Sequence, residues 1–157
     1  MGEVFFYHLT RSPLETALQA LLARALGVGW RVAVRGRDRA LLEWLDQKLW
    51  LGPEEGFLPH GLVGGRHDAD QPVLLTDRLE QPNAANCLMS IDGSDFGVAE
   101  ATSLARVCVI FDGSDQDALA DARLKWKAVV DAGLAAQYWS EESGRWEKKL
   151  ERPARDA

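Results

Sequence analysis

The first fifty residues alternate between strand and helix patterns, and this alternation limits the possible folds more than any other feature of the chain. Val4 to Leu9 is an apolar, aromatic run suited to a buried strand. Ser12-Pro13-Leu14-Glu15 then reads as a helix start, with Ser12 as N-cap, Pro13 at the first helical position and Glu15 completing a capping box. Leu14, Leu18, Leu21, Leu22 and Ala25 recur at helical spacing up to Gly27, a natural stop. Trp30 to Val34 is a second strand. Asp38 caps a second helix whose apolar stripe is Leu41, Leu42, Leu45 and Leu49. Strand, helix, strand, helix implies a parallel sheet with helices on its faces.

The rest of the chain extends this pattern. Gly52 to Gln71 is loop-like and long for a compact domain, and unstructured loops of that length are usually functional or disordered. Pro72 to Thr76, Cys87 to Ile91 and Arg106 to Phe111 read as strands, and Asp117 to Ala132 as a long helix stopped by Gly133. Tyr138 and Trp139 read as a last short strand or as packing for the C-terminal tail. The expected organisation is one domain over 1-146, then a charged, frayed tail over 147-157. IDGSD at Ile91 to Asp95 and FDGSD at Phe111 to Asp115 form a short repeat. Each copy follows a strand, and the pair reads as two similar strand-to-helix turns with Gly at the bend and Ser or Asp as N-cap.

Composition excludes several function classes. The formal net charge of −6 argues against broad contact with a phosphate backbone, so no direct DNA binding is expected. No apolar run approaches the ~20 residues of a membrane span, and MGEVFFYHLT reads as a strand, not a leader, which makes the cytoplasm the expected location. Cys87 and Cys108 sit in strand-like runs and read as buried free thiols. No metal site is expected, because neither cysteine has a partner at ligand spacing and His8, His60 and His67 are scattered. No cofactor is expected either. The turn after the first strand is HLTRSP, without the glycines that let a pyrophosphate approach the backbone, and no P-loop or nucleophile elbow occurs.

Two segments stand out as candidate docking surfaces. Trp50 and Phe57 flank a helix end and a loop, with Pro59 and His60 beside them. Large aromatics make good interface anchors, although the same rings could close the end of the sheet and pin the loop. On the last long helix, Arg123 and Lys127 share a face with Trp126 close by and Lys125 adding charge. Basic residues late in a helix are also ordinary dipole pairing. Read functionally, this patch is a cleft for an acidic peptide.

The opening FFYHLT, the run LDQKLW, then Phe57-Leu58-Pro59-His60 with Leu62 and Gly64, and the later PVLLTD and ARLKWKAVVDAG carry a resemblance. The chain resembles the chi-subunit family of bacterial DNA polymerase III holoenzyme over most of its length. That resemblance implies a Rossmann-like α/β three-layer sandwich, with a mostly parallel central sheet flanked by helices and no enzymatic activity. It implies an accessory protein of the clamp-loader assembly with two partners, the psi subunit and the acidic C-terminal tail of single-strand DNA-binding protein. Trp50 and Phe57, with Pro59 and His60, match the family's psi surface, which is also linked to a helicase. Arg123, Trp126 and Lys127 match its tail-binding helix, and a pocket near Trp126 and Phe111 would take the tail's terminal apolar side chain. The basic position one turn before Arg123 in better-known members is Leu119 here. The rival expectations are a nucleotide-binding or small-molecule-binding enzyme on the same fold, and a helicase adaptor acting apart from the replicase.

Overall fold

Alternate residues of the first strand, β1 (Glu3–Leu9), enter two different cores: Phe5, Tyr7 and Leu9 pack on one face of the sheet, Val4 and Phe6 on the other. A strand buried on both sides is why this stretch reads as continuous apolar sequence. The computed structural model describes residues 2–50 and 59–155, with Trp50 described by its backbone alone. After β1 come α1 (Leu14–Gly27), β2 (Val32–Arg35), α2 (Arg39–Trp50), β3 (Gly61–Leu62), a 3-10 turn (Asp68–Asp70), β4 (Val73–Thr76), β5 (Cys87–Ser90), α3 (Val98–Ser103), β6 (Arg106–Asp112), α4 (Gln116–Asp131), β7 (Ala135–Ser140) and β8 (Glu147–Arg152).

The strands form one sheet in the order β3-β4-β2-β5-β6-β1-β7-β8. Every described pairing is parallel except β7 with β8. The α1 and α2 residues Leu18, Leu22, Leu42 and Leu45 pack on the Phe5 face, whereas Ala101 of α3 and Ala122 and Val129 of α4 pack on the Phe6 face. Handedness explains this division. The chain crosses the sheet in one direction from β1 to β2 and in the other from β5 through β6 to β7, so right-handed crossovers place the helices on opposite faces. The winding reverses between β6 and β1, and a crevice forms outside the carboxyl ends of strands at such a point.

The mostly parallel α/β architecture agrees with the sequence expectation, with several local corrections. The predicted capping box at Ser12 does not form. Pro13 occupies the N-cap of α1 without a side-chain cap, and Ser12 Oγ donates to Glu141 Oε2 at 2.6 Å instead. The loop from Gly52 contains an edge strand, β3, and the 3-10 turn within its described part. The segment from Glu147 is not frayed as far as Arg152. It forms β8, antiparallel to β7, with an irregularity between Tyr138 and Trp139. Its charged residues suit an outer strand with one side open to water, where charge discourages pairing with another chain. Arg155 extends the attachment, its guanidinium donating to the Val130 and Asp131 carbonyls at 2.9 and 2.7 Å, near the end of α4.

The IDGSD repeat is not a structural repeat. In the second copy Asp115 caps α4, accepting from the N–H groups of Asp117 and Ala118 at 3.0 and 3.2 Å. In the first copy the N-cap of α3 is Gly97, and Asp92 turns back to accept from the N–H groups of Arg37 and Asp38. Asp92 and Gly93 both have positive φ, at 57° and 64°. Gly113 of the second copy is required for a different reason: a side chain there would overlap the His8 imidazole.

Candidate functional site

The crevice where the winding reverses has a volume of about 570 Å³, and its walls include Leu9, Phe111, Asp112, Asp115 and Asp117. A dinucleotide would place its phosphates beside the β1–α1 turn of such a sheet. Here the N–H groups of Thr10, Arg11 and Ser12 converge on Glu141 Oε1 at 3.0, 2.7 and 2.6 Å. Register brings this about. β7 lies parallel to β1 with Ser140 opposite His8, so the residue that follows β7, Glu141, arrives beside the turn. Glu141 is 4% exposed. Burial opposes its charge, but the hydrogen bond from Ser12 Oγ and those from the Ser12, Arg11 and Thr10 N–H groups outweigh it and lower the carboxyl pKa to about 2. The turn thus has the donor arrangement of an anion cradle, filled by the chain's own carboxylate.

The predicted basic and aromatic patch is assembled on α4, over the face of β1, β6 and β7. Arg123 and Lys127 are exposed. Arg123 makes no ion pair or side-chain hydrogen bond among the described residues, while Lys127 lies 3.6 Å from Asp131. Lys125 does not join them. Its side chain is 12% exposed, 2.6 Å from Asp121 and 3.8 Å from Asp95. Trp126 is half-buried and packs inward, edge-on to Phe6 and Tyr138 with ring centroids 5.3 and 5.8 Å away, so it anchors α4 as well as edging the surface. Phe111 is buried, beside Tyr138 and the His8 ring at 6.1 and 5.2 Å. Leu119, one turn before Arg123, is half-buried against the same core.

Sequence reading missed two members of this cluster. Tyr138 Oη lies 2.8 Å from His8 Nδ1, and the Tyr138 ring touches Trp126, Phe111 and His8. Burial pushes the Tyr138 phenol pKa up, while the Arg123 charge draws it back, placing that guanidinium within electrostatic reach of the hydroxyl. Phe6 and His8 are two apart on β1 and register sets Tyr138 opposite Phe6, so the alternation within β1 was the available signal for His8, whereas Tyr138 joins only through strand pairing.

The other predicted surface lies mostly outside the described residues. This applies to Phe57 and to the side chain of Trp50, while the Trp50 backbone ends α2. Pro59 is exposed. His60 is not a surface contact. It is 5% exposed, and its Nε2 lies 3.1 Å from both the Asp46 carbonyl oxygen and Asp46 Oδ1, so it pins the start of β3 to α2. The thiols of Cys87 and Cys108 are free and buried. A hydrogen bond with Cys87, together with burial, holds the Cys108 thiol well above its usual pKa. Among the described residues there is no cluster of three or more metal-ligating His, Cys, Asp or Glu side chains, and no helix is long and apolar enough to cross a membrane.

Two comparisons with known proteins bear on this geometry. Residues 1–137 match the family model described as DNA polymerase III chi subunit, HolC. A curated protein of Rickettsia prowazekii (strain Madrid E), named probable DNA polymerase III subunit chi, is 27% identical over 95 residues, which cover 60% of this chain and 58% of that protein. The family match spans β1 through α4 and so includes both candidate surfaces. The chain belongs to the DNA polymerase III chi subunit family.

Proposed function

We propose that this chain is a non-catalytic accessory subunit of the replicase clamp-loader assembly. In this reading it has a Rossmann-like sandwich fold, acts in the cytoplasm, and tethers the assembly to single-strand DNA-binding protein by holding that protein's acidic C-terminal tail. The observation that carries the reading is Arg123, an exposed guanidinium without a carboxylate partner among the described residues, beside the Trp126–Tyr138–Phe111 aromatic cluster. Tail carboxylates pair with Arg123 and Lys127, and the terminal apolar side chain packs against the rim of Trp126. Each contact is modest and salt-sensitive. Because single-strand DNA-binding protein coats the lagging strand, many weak contacts along one track hold the replicase near its template.

The β1–α1 turn supports the non-catalytic part of the reading, because the donors a nucleotide phosphate would use are already satisfied by Glu141. The psi subunit, or a helicase, docks on the Trp50, Phe57 and Pro59 surface, with His60 as a buried support for the segment. Titration of the acidic tail peptide into the wild-type protein and into an Arg123→Ala/Lys127→Ala variant tests the tether. The double variant is expected to bind at least about tenfold more weakly, as loss of charge-assisted contacts predicts. Equal affinities would remove these residues from the tail site. Stabilisation by a nucleotide and not by the peptide would favour an enzyme on the same fold.

A further inference from the structure

A second cavity lies on the opposite face of the sheet from Trp126, between α1 and the strands. Its volume is about 320 Å³, at the small end of the roughly 300–1,000 Å³ typical of small-molecule sites. A side pocket of about 60 Å³ adjoins it, sharing Tyr7, Leu21, Arg24 and Trp139 as walls. The walls are aromatic: Phe5, Tyr7, Trp30 and Trp139 line the main cavity, and the Tyr7 and Trp139 rings stack at 6.5 Å. Among the described residues no carboxylate lines either part, although the chain carries a net charge of −6, whereas Arg24 lines both and Arg106 the main cavity.

The two arginines differ. Arg106 is committed, lying 2.7 Å from Glu3 and 4.1 Å from the Phe5 ring centroid. Arg24 is exposed, and its guanidinium has no ion pair or hydrogen bond among the described residues. Tyr7 supplies a further unmatched group. It is 8% exposed, yet its hydroxyl makes no hydrogen bond among the described residues. Solvent reaches this hydroxyl at the cavity wall, so it is a donor open to a ligand that brings an acceptor.

We propose that this cavity binds a small aromatic carboxylate, its ring held against Tyr7 and Trp139 and its carboxylate accepting from the Tyr7 hydroxyl and pairing with Arg24. The volume admits one ring or two fused rings, and the flat walls favour a planar body. The site is separate from the α4 surface and stands or falls without it.

Indole-3-acetate and its neutral analogue indole-3-acetamide are suitable probes, titrated into the full chain by calorimetry while the tryptophan indole N–H signals are followed by NMR. The acetate is expected to bind saturably at one site and shift the Trp30 and Trp139 indole signals, with the acetamide at least about tenfold weaker. Arg24→Ala, a surface change that leaves the core intact, is expected to weaken the acetate about tenfold, and Tyr7→Phe about threefold or more. Arg123→Ala is expected to leave the acetate's affinity unchanged. Absence of saturable binding at millimolar concentration, equal affinity for the two probes, or an Arg24→Ala variant that binds like wild type would overturn the proposal. So would tighter binding of a short peptide ending in tryptophan, which would make the cavity a protein-docking pocket.

Discussion

The β1–α1 turn and the exposed face of α4 both offer hydrogen-bond donors suited to a carboxylate, but the donors of the turn are all filled from within the chain, whereas Arg123 on α4 is not, among the described residues. At the turn three backbone N–H groups and Ser12 Oγ hold Glu141 at 2.6–3.0 Å. On α4, Arg123 has no carboxylate partner among the described residues, although Asp117, Asp121 and Asp131 lie on the same helix. Aspartates there serve other groups: Asp121 pairs with Lys125, Asp131 with Lys127, and Asp115 caps the helix. A filled cradle contributes to folding, whereas an unfilled cation is left open to a partner. The same chemistry therefore separates a structural element from a candidate interface according to whether the partner is supplied in cis.

Replacing Glu141 with glutamine gives the strongest test of the cis partner. The fall in its pKa from 4.5 to about 2 corresponds to roughly 3 kcal/mol at full strength, reduced to about 2 kcal/mol by screening from nearby solvent. Because the folded-state pKa is depressed, this stability is fully present above pH 4.5 and is lost as the pH falls towards 2. Urea unfolding at pH 7 should therefore show Glu141→Gln less stable than wild type by about that amount, and the gap should shrink steadily below pH 4.5. A gap that does not change with pH would mean that packing, and not charge, holds the turn. Arg123→Ala, by contrast, should leave the unfolding midpoint unchanged, and that pairing of results is what the comparison requires.

This contrast also separates what the sequence could reveal from what it could not. Local patterns were legible. The apolar runs of β1, β2 and β6, the Leu18–Leu22 and Leu42–Leu45 stripes, and the stop at Gly133 each depend on neighbours within a few residues. Long-range partners were not. Ser12 looks like a helix cap until a residue 129 positions away takes its hydroxyl. The two DGSD turns are identical in sequence, yet Asp115 caps a helix while its counterpart Asp95 does not, and Asp92 accepts from Arg37 and Asp38 while its counterpart Asp112 accepts from Ser114. β8 was hidden because an outer strand with one side in water carries Lys148, Lys149, Glu151 and Arg152, which read as tail. On the candidate surface Arg123 and Lys127 follow from helical spacing, but Tyr138 and His8 reach it only because β7 and β1 are neighbours in the sheet.

Trp126 sharpens the comparison at an intermediate scale, because it belongs to the core and to the candidate surface at once. Trp126→Leu keeps an apolar group over Phe6 but removes the edge-on contacts with Phe6 and Tyr138. The expected cost is about 1 kcal/mol in thermal or urea unfolding, since aromatic pairs contribute roughly 0.5–1.5 kcal/mol beyond area. Tail-peptide affinity should fall as well. A variant that loses stability but keeps full affinity would assign Trp126 wholly to the core.

The smallest expected effect belongs to Lys127. It is exposed and lies 3.6 Å from Asp131, so a visiting carboxylate must compete with a partner already in place. Exposed pairs of this kind contribute about 0.2–1 kcal/mol, which limits Lys127→Ala to a loss of at most about fivefold in peptide affinity. Removing the competitor should act in the opposite direction. Asp131→Asn frees the ammonium group and reduces local negative charge, so it should strengthen peptide binding by a similar factor, most visibly at low salt, where screening is weakest. Titrations of the two variants at two ionic strengths would separate this account from simple helix-dipole pairing. The dipole alone predicts that Asp131→Asn changes helix stability and leaves the peptide affinity where it was.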